Sequence, residues 1–293
     1  MRRTSSLLLV LLASTAAAQQ AATPAPIDWR PVDAALGRAG TPMPGGVVRY
    51  GFPRTDLDVT VGDVHVLPAL ALGGWVAFLP AGDNAIVMGD LVLTLPEVAP
   101  VVRALQQGGV EITAEHNHLI GEEPRLMYVH IMGNGNPASI AGAIRRALDL
   151  SGTPKSLPPA TPPKLDFPLD TGSLAKAAGV NGKVVGGVWQ MSVPRSSPPT
   201  SMGISLPPAM GVASAINVQP IDSTSAAATG DFVLTTGQVP KVVQALTAHG
   251  FTVTAVHSHL MGSTPELLFV HFWGKDTDKR LAEGISAAVD AMR

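Results

Sequence analysis

Shifted against itself by 141 positions, the sequence aligns Gly89-Asp90-Leu91-Val92-Leu93-Thr94 with Gly230-Asp231-Phe232-Val233-Leu234-Thr235, and the match runs without a gap to Gly133 and Gly274. Of these 45 aligned pairs, 22 are identical. Upstream, the same offset pairs Gly45-Gly46-Val47 with Gly186-Gly187-Val188 and Pro53-Arg54 with Pro194-Arg195. Solenoid repeats run to only about 20–50 residues, so a repeat of this period is a whole domain. The chain must fold as two copies of one unit, and any fold proposed for one half has to suit both.

A chain of 293 residues is long enough for two such units, each with a core of its own. Residues 1–18 read as a secretory signal peptide: Arg2 and Arg3 are its positive region, Leu7 to Ala13 its apolar run, and Ala16-Ala17-Ala18 its cleavage site. The first repeat domain is placed at 27–150 and the second at 165–293. Between them, residues 151–164 (SGTPKSLPPATPPK) read as an extended linker, because proline can neither continue a helix nor donate to a ladder. The leader's apolar run is too short for a permanent bilayer span, and no later stretch offers about 18 apolar residues. A soluble periplasmic or secreted product without a transmembrane anchor is expected. The Arg pair leaves a twin-arginine export route open, although Thr4 to Ser6 carry little of that pattern.

Composition narrows the chemistry. With no cysteine, disulfides, thiol catalysis, thiolate metal sites and a lipid-bearing N-terminal cysteine are excluded, so any metal must be held by His, Asp or Glu. A net charge of −2 with no basic cluster argues against nucleic acid as a partner.

The coarse element order is the same in both copies. Helical patterns at Val32 to Ala39 and Ser173 to Ala178 are followed in the first copy by β-rich stretches at Val47 to Phe52, Leu57 to Leu67 and Trp75 to Leu79. Next come a strand from Ala85 to Thr94 and a helix from Pro96 to Gln107, with Thr94 as N-cap and Gly109 at its end; the twin helix runs from Gly237 to Ala248. Glu111 to Leu119 and Leu126 to Ile131 read as a hairpin, repeated at Val253 to Leu260 and Leu267 to Phe272. A last helix opens at Asn136-Pro137 and at Asp276-Thr277. Strand, helix, strand, strand, helix predicts an α+β protein of two tandem homologous domains. Each would be an antiparallel sheet with helices on one face, a ferredoxin-like core with extra strands.

Six of the eight histidines fall in the two hairpins: His116, His118 and His130 in the first, His257, His259 and His271 in the second. Alternation along a strand puts His116 and His118 on one face, and a loop of this length brings His130 opposite His116. Three imidazoles with an open position suit zinc, and imidazole also suits copper, iron and nickel; zinc or copper is the expected cofactor. Glu122 and Glu123, in the turn, are the candidate carboxylates, and the second copy has Ser263 and Thr264 there. Histidines in a hairpin also serve simply as packed hydrogen-bond donors. Three retained at matched positions in copies that differ at half their other positions are poorly explained that way. The string His116-Asn117-His118 is not an HNH nuclease motif, since no basic groove or metal-finger surroundings accompany it.

Weaker features remain. Asp56, Asp58, Asp63 and His65 are a first-copy cluster, best read as a solvated strand face. Arg54 and Arg195 are placed to clamp an anion or to pair with Asp90 and Asp231. The Gly-Asp pairs read as bends before the central strands, His249 as a helix-end residue, and Met127 and Met132 as core filling that would also suit Cu(I).

The GDLVLT segment, the ITAEHNHL and VTAVHSHL strands, and PPAMGVASAIN from Pro207 to Asn217 resemble the LppY/LpqO family over both halves of the chain. That resemblance implies an exported bacterial protein with a duplicated domain of unknown function, often a lipoprotein; the missing cysteine departs from the lipoprotein members. The leading expectation is a metal-binding protein using the paired His-x-His and His sets, whose partner is a metal ion or small molecule. The alternatives are a metal-dependent hydrolase with Glu122 or Glu123 as base, and a metal-free cell-envelope interaction module.

Overall fold

The computed structural model describes residues 27–156 and 167–293. The expected leader and most of the expected linker lie outside the described residues. The first half comprises α1 (Arg30–Leu36), β1 (Thr41–Pro42), β2 (Val48–Pro53), β3 (Thr60–Val61), β4 (Val64–His65), α2 (Pro68–Ala71), β5 (Gly73–Ala81) and β6 (Asn84–Thr94). It continues with α3 (Leu95–Gln107), β7 (Glu111–His116), β8 (Glu122–Glu123), β9 (Leu126–Gly135) and α4 (Pro137–Leu148). The second half comprises α5 (Thr171–Ala178), β10 (Lys183–Val185), β11 (Val188–Val193), β12 (Thr200–Ser201), β13 (Ile204–Ser205), a 3-10 turn (Pro208–Met210) and β14 (Ser214–Pro220). It ends with β15 (Ser225–Thr235), α6 (Val239–Ala248), β16 (Thr252–His257), β17 (Leu267–Thr277) and α7 (Asp278–Met292).

The protein is α+β, and each half is a six-stranded antiparallel sheet packed with helices. The strand orders are β1-β2-β5-β6-β9-β7 and β10-β11-β14-β15-β17-β16. Within the first sheet, β5-β6-β9-β7 follows the ferredoxin-like order, with β5 entering from upstream of the βαββα run rather than after it. The caps expected from the sequence hold the helices. Thr94 and Glu97 form a capping box on α3, the Asn136 side chain accepts from the Ser139 amide at α4, and Thr277 accepts from the Arg280 amide at α7.

The central strands β6 and β15 are buried along almost their whole length, because each of their faces meets a different partner. In β6, Ala85, Val87, Leu91 and Leu93 pack with the helices in one core, while Ile86, Met88 and Val92 face the other half. In β9, Val129 and Ile131 take the helix side, and Leu126, Tyr128 and Met132 take the opposite side. The second half repeats this, with Phe232 and Leu234 toward its helices and Val233, Leu267 and Phe269 toward the first half. Two apolar cores are therefore built from both halves. One joins Met88 and Met132 to Met210, Val233 and Phe269; the other joins Val92, Leu126 and Tyr128 to Val188 and Ala227. The layers run helices, sheet, sheet, helices. Period-two alternation then forces Asp90, His130, Asp231 and His271 to point between the sheets.

The stretch from Leu57 to Leu67 is not one long strand. It forms the short β3–β4 ladder, which also pairs with β8, and leads into α2. This arm lies on the second half: Asn217 donates to the Leu70 carbonyl at 2.9 Å, Gln190 to the Ala69 carbonyl at 2.8 Å, and Gln219 to the His65 carbonyl at 2.7 Å. The matching arm of the second half reaches back, placing Gly211 against Trp75 and the Ala209 carbonyl near Arg49. The early acidic group is dispersed rather than clustered on a chemical site. Asp56 pairs with Arg54, exposed Asp58 with His65 at 2.9 Å, and Asp63 with Lys275 of the other half at 2.6 Å.

Arg54 does not pair with Asp90. It is 1% exposed and bonds Glu97 at 2.7 Å, Asp56 at 2.8 Å and the Val92 carbonyl at 2.9 Å. Glu97 also accepts from the amides of Thr94 and Gly152, so one ion-paired group ties β2, β6, α3 and the segment after α4 together. Among the described residues, Arg195 keeps only the bond to the equivalent Val233 carbonyl, since Ser197 and Gln238 stand where Asp56 and Glu97 do. Arg54→Ala strands a partly buried carboxylate and is expected to destabilise the fold by about 3–5 kcal/mol. Arg195→Ala is expected to cost about 1 kcal/mol, the worth of one such hydrogen bond. Urea denaturation of both variants checks this; equal losses would contradict the assigned roles.

Candidate metal centre

The six hairpin histidines meet at the middle of the interface between the sheets. Across the two halves, ring centroids lie 3.9 Å apart for His116 and His257, 4.0 Å for His118 and His271, and 3.6 Å for His130 and His259, each pair stacked within 28° of parallel. Tyr128 stacks on His118 at 3.6 Å, and its repeat partner Phe269 lies against His259 at 3.3 Å. Apolar cores flank the cluster, burying His116, His130, His259 and His271 and leaving His118 and His257 half-buried.

The route to this arrangement differs from a simple pleat. His130 does not face His116; a bulge between Ile112 and Ala114 shifts the register so that Ala114 faces His130 and Tyr128 faces His116. His116 still shares a face with His130, because Tyr128 and His130 are two residues apart on β9. The same bulge recurs between Val253 and Ala255. His118 and His259 lie beyond the ends of β7 and β16, so the loops rather than strand alternation aim them inward. The Thr254 hydroxyl of the second half donates to the His118 carbonyl at 2.8 Å, which fixes that loop.

Two aspartates complete the cluster, although their sequence context suggests bends or partners for Arg54 and Arg195. Asp90 and Asp231 lie within β6 and β15, not at bends before them, directly opposite His130 and His271. The Asp90 carboxylate stands 3.3 Å from His118 Nε2 and 3.6 Å from His130 Nε2. That of Asp231 stands 3.7 Å from His259 Nε2 and 3.9 Å from His271 Nε2. The available signal was an acid at an inward position of an apolar strand, kept in both copies. The glycine beside each is explained by close packing: a Cβ at Gly89 would lie 2.7 Å from the Trp75 carbonyl oxygen, and one at Gly230 would collide with that of Ala215.

Polar satisfaction is poor throughout. Among the described residues, nine ring nitrogens are buried without a hydrogen-bond partner: both of His116, His257 and His259, and Nε2 of His118, His130 and His271. Oδ1 of Asp90 and of Asp231 is equally orphaned. His271 Nδ1 is anchored, at 3.0 Å from the Gly230 carbonyl, which leaves its Nε2 free to accept or ligate. An orphaned buried polar group costs about 1–3 kcal/mol, so a cluster of this size is unexpected unless something binds it. Donor atoms of His116, His118 and His130 lie within 4.8 Å of one another, as do those of His116, His257 and His271, and of His130, His257 and His259. Ligands bonded to one ion at about 2.0–2.1 Å fall within that spread. Imidazole nitrogens backed by carboxylates are an established donor set for transition metals.

The other candidates lie apart. Glu122 is buried, but its Oε1 accepts from the Leu126 amide at 3.1 Å and stands 3.6 Å from Arg125; Glu123 pairs along β3 and is exposed. Neither belongs to a convergent donor group among the described residues. Met132 is core, and exposed His249 ends α6, its Nδ1 2.8 Å from the Ala245 carbonyl.

Fold and site together define a duplicated α+β protein with a buried polyhistidine centre that could hold a metal ion. The chain belongs to the family described as Domain of Unknown Function (DUF1259), whose pattern matches residues 30–150 and again 172–291. No curated protein matches it. A crystal structure of a trimeric bacterial microcompartment shell protein, PduB, aligns with 85% of this chain and 87% of its own at 13% identity and a TM-score of 0.22, too loose a likeness to inform fold or function.

Burial drives all six imidazoles below their ordinary pKa, and repulsion between neighbouring rings adds to this in five of them. At His257, Asp231 and Asp90 oppose the burial effect without cancelling it. The folded protein therefore keeps these rings neutral, while the unfolded chain takes up protons below about pH 6.5. Metal-free protein is expected to hold full stability above that pH and to lose it as pH falls, by up to about 1.4 kcal/mol per pH unit for each histidine. Denaturant melts of chelator-treated protein at pH 8, 6.5 and 5 test this; a flat profile would contradict it.

Proposed function

We propose that this protein is an exported metal-binding protein, periplasmic or secreted, that holds a transition metal such as zinc or copper between its two halves. His116, His118, His130, His257, His259 and His271 are the ligand set. The observation that carries this is the convergence of six imidazoles, three from each copy of one domain, with nine ring nitrogens buried and unpartnered among the described residues. Hydrogen bonds normally satisfy such groups, and bound metal would take up ring lone pairs that no protein donor reaches.

Two further observations favour binding over the alternatives. A hydrolase using the turn glutamates needs one of them beside the bound ion, whereas neither joins a convergent donor group among the described residues, although Glu122 keeps one buried oxygen unpartnered. An interaction module would present its histidines outward, whereas these lie between the sheets. Export is supported by the leader-like residues 1–18 and by the likeness of GDLVLT and the two His-x-His strands to the LppY/LpqO proteins. No helix among the described residues is long and apolar enough to cross a membrane.

Elemental analysis of untagged protein purified from periplasm is expected to show stoichiometric zinc or copper. A variant with His116, His118, His257 and His259 changed to alanine is expected to show none. Added metal at about a hundred times its Kd is expected to raise the melting temperature of chelated parent by roughly 5–10 °C. A parent that purifies without metal and neither binds nor is stabilised by zinc or copper would refute the reading.

A further inference from the structure

Three convergent triads are drawn from the six rings. They overlap pairwise: His116 is shared by two, His130 by two and His257 by two, while His118, His259 and His271 each belong to one. The convergent groups among the described residues are triads, although six imidazoles lie in the cluster, so an ion bound in one triad leaves three of the rings without it. Occupying the triads His116-His257-His271 and His130-His257-His259 engages five of the six rings. The sixth, His118, is the ring closest to a carboxylate, 3.3 Å from Asp90. His257, common to those two triads, has both ring nitrogens buried and unpartnered, and so does His116, stacked on it at 3.9 Å.

From this overlap we infer that the centre binds two metal ions, one in each of these two triads and bridged by His257, which releases its ring proton to solvent on loading so that both nitrogens ligate, with Asp90 and Asp231 offsetting part of the charge. This deepens the metal-binding reading and rests on it. The carboxylates fit the role by position: each stands 3.3–3.9 Å from two imidazole nitrogens, and each keeps one buried oxygen unpartnered. Without them, two divalent ions would sit between apolar cores with no compensating charge.

The arrangement yields a counting test, because every triad contains His116 or His257. Removing His257 leaves one triad, His116-His118-His130; removing His116 leaves one, His130-His257-His259; removing both leaves none. Full-length mature protein, His116→Ala, His257→Ala and the double variant would be stripped, reloaded with Zn(II) alone, and weighed intact by native mass spectrometry. The expected series is two ions, one, one and none. Circular dichroism of each metal-free variant, beside the one ion retained by each single variant, controls for folding. As a second readout, parent loaded with Cu(II) is expected to give an electron paramagnetic resonance spectrum of two interacting ions, and each single variant that of an isolated ion. One ion in the parent, lost in either single variant, would overturn the two-ion inference while leaving the metal-binding reading intact. No ion in the parent would overturn both.

Discussion

The structure depends on two antiparallel sheets packing face to face, each with its outer face already covered by helices. Strands β6, β9, β15 and β17 can be apolar on both sides only because a second sheet waits on the side away from the helices. Neither half alone would bury that inner face, which carries Met88, Val92, Met132, Val233 and Phe269 along with the acids and histidines. The exchanged arms close the assembly, since α2 and the turn after β13 each lie over the opposite sheet.

This packing explains how a charged and polar cluster survives inside an apolar interface. Burial in the two shared cores supplies the drive for association, at about 25 cal/mol per Å² of apolar surface. The polar stripe between those cores is carried by it rather than contributing to it. Six neutral imidazoles and two carboxylates with many unmade hydrogen bonds are a local conflict in an otherwise consistent fold, and such conflicts gather at functional sites. The duplication matters for the same reason. One domain offers three histidines and an acid on an open sheet face; two copies, face to face, turn that surface into an enclosed centre.

Much of this was legible in the residues. The 141-residue offset defined the halves, the order strand, helix, strand, strand, helix defined the sheet, and Thr94, Asn136 and Thr277 marked helix starts that the structure keeps. The histidines stood out because both copies kept them. What escaped was anything dependent on register or on the other half. The bulge before Ala114 moves His130 from His116 to Ala114, and no local pattern announces it. The Pro-Arg motif leaves Arg54 between an anion clamp and a pair with Asp90, whereas its partner Glu97 is a helix-capping residue brought close by the turn from β6 into α3. Asp90 and Asp231 were read as turn chemistry because a glycine precedes each, although their inward position followed from alternation along β6 and β15.

The sequence by itself determined that there are two like domains, which residues form their strands and helices, and that each carries one His-x-His and one further His. These are local or periodic properties, written in spacing and in the comparison of the two copies. Only the tertiary structure decided that the two histidine sets form one cluster, that aspartates from the central strands join it, and that the cluster is buried. Sheet-on-sheet packing is set by the summed shape and twist of two surfaces more than a hundred residues apart in the chain, and no short window of sequence carries that sum.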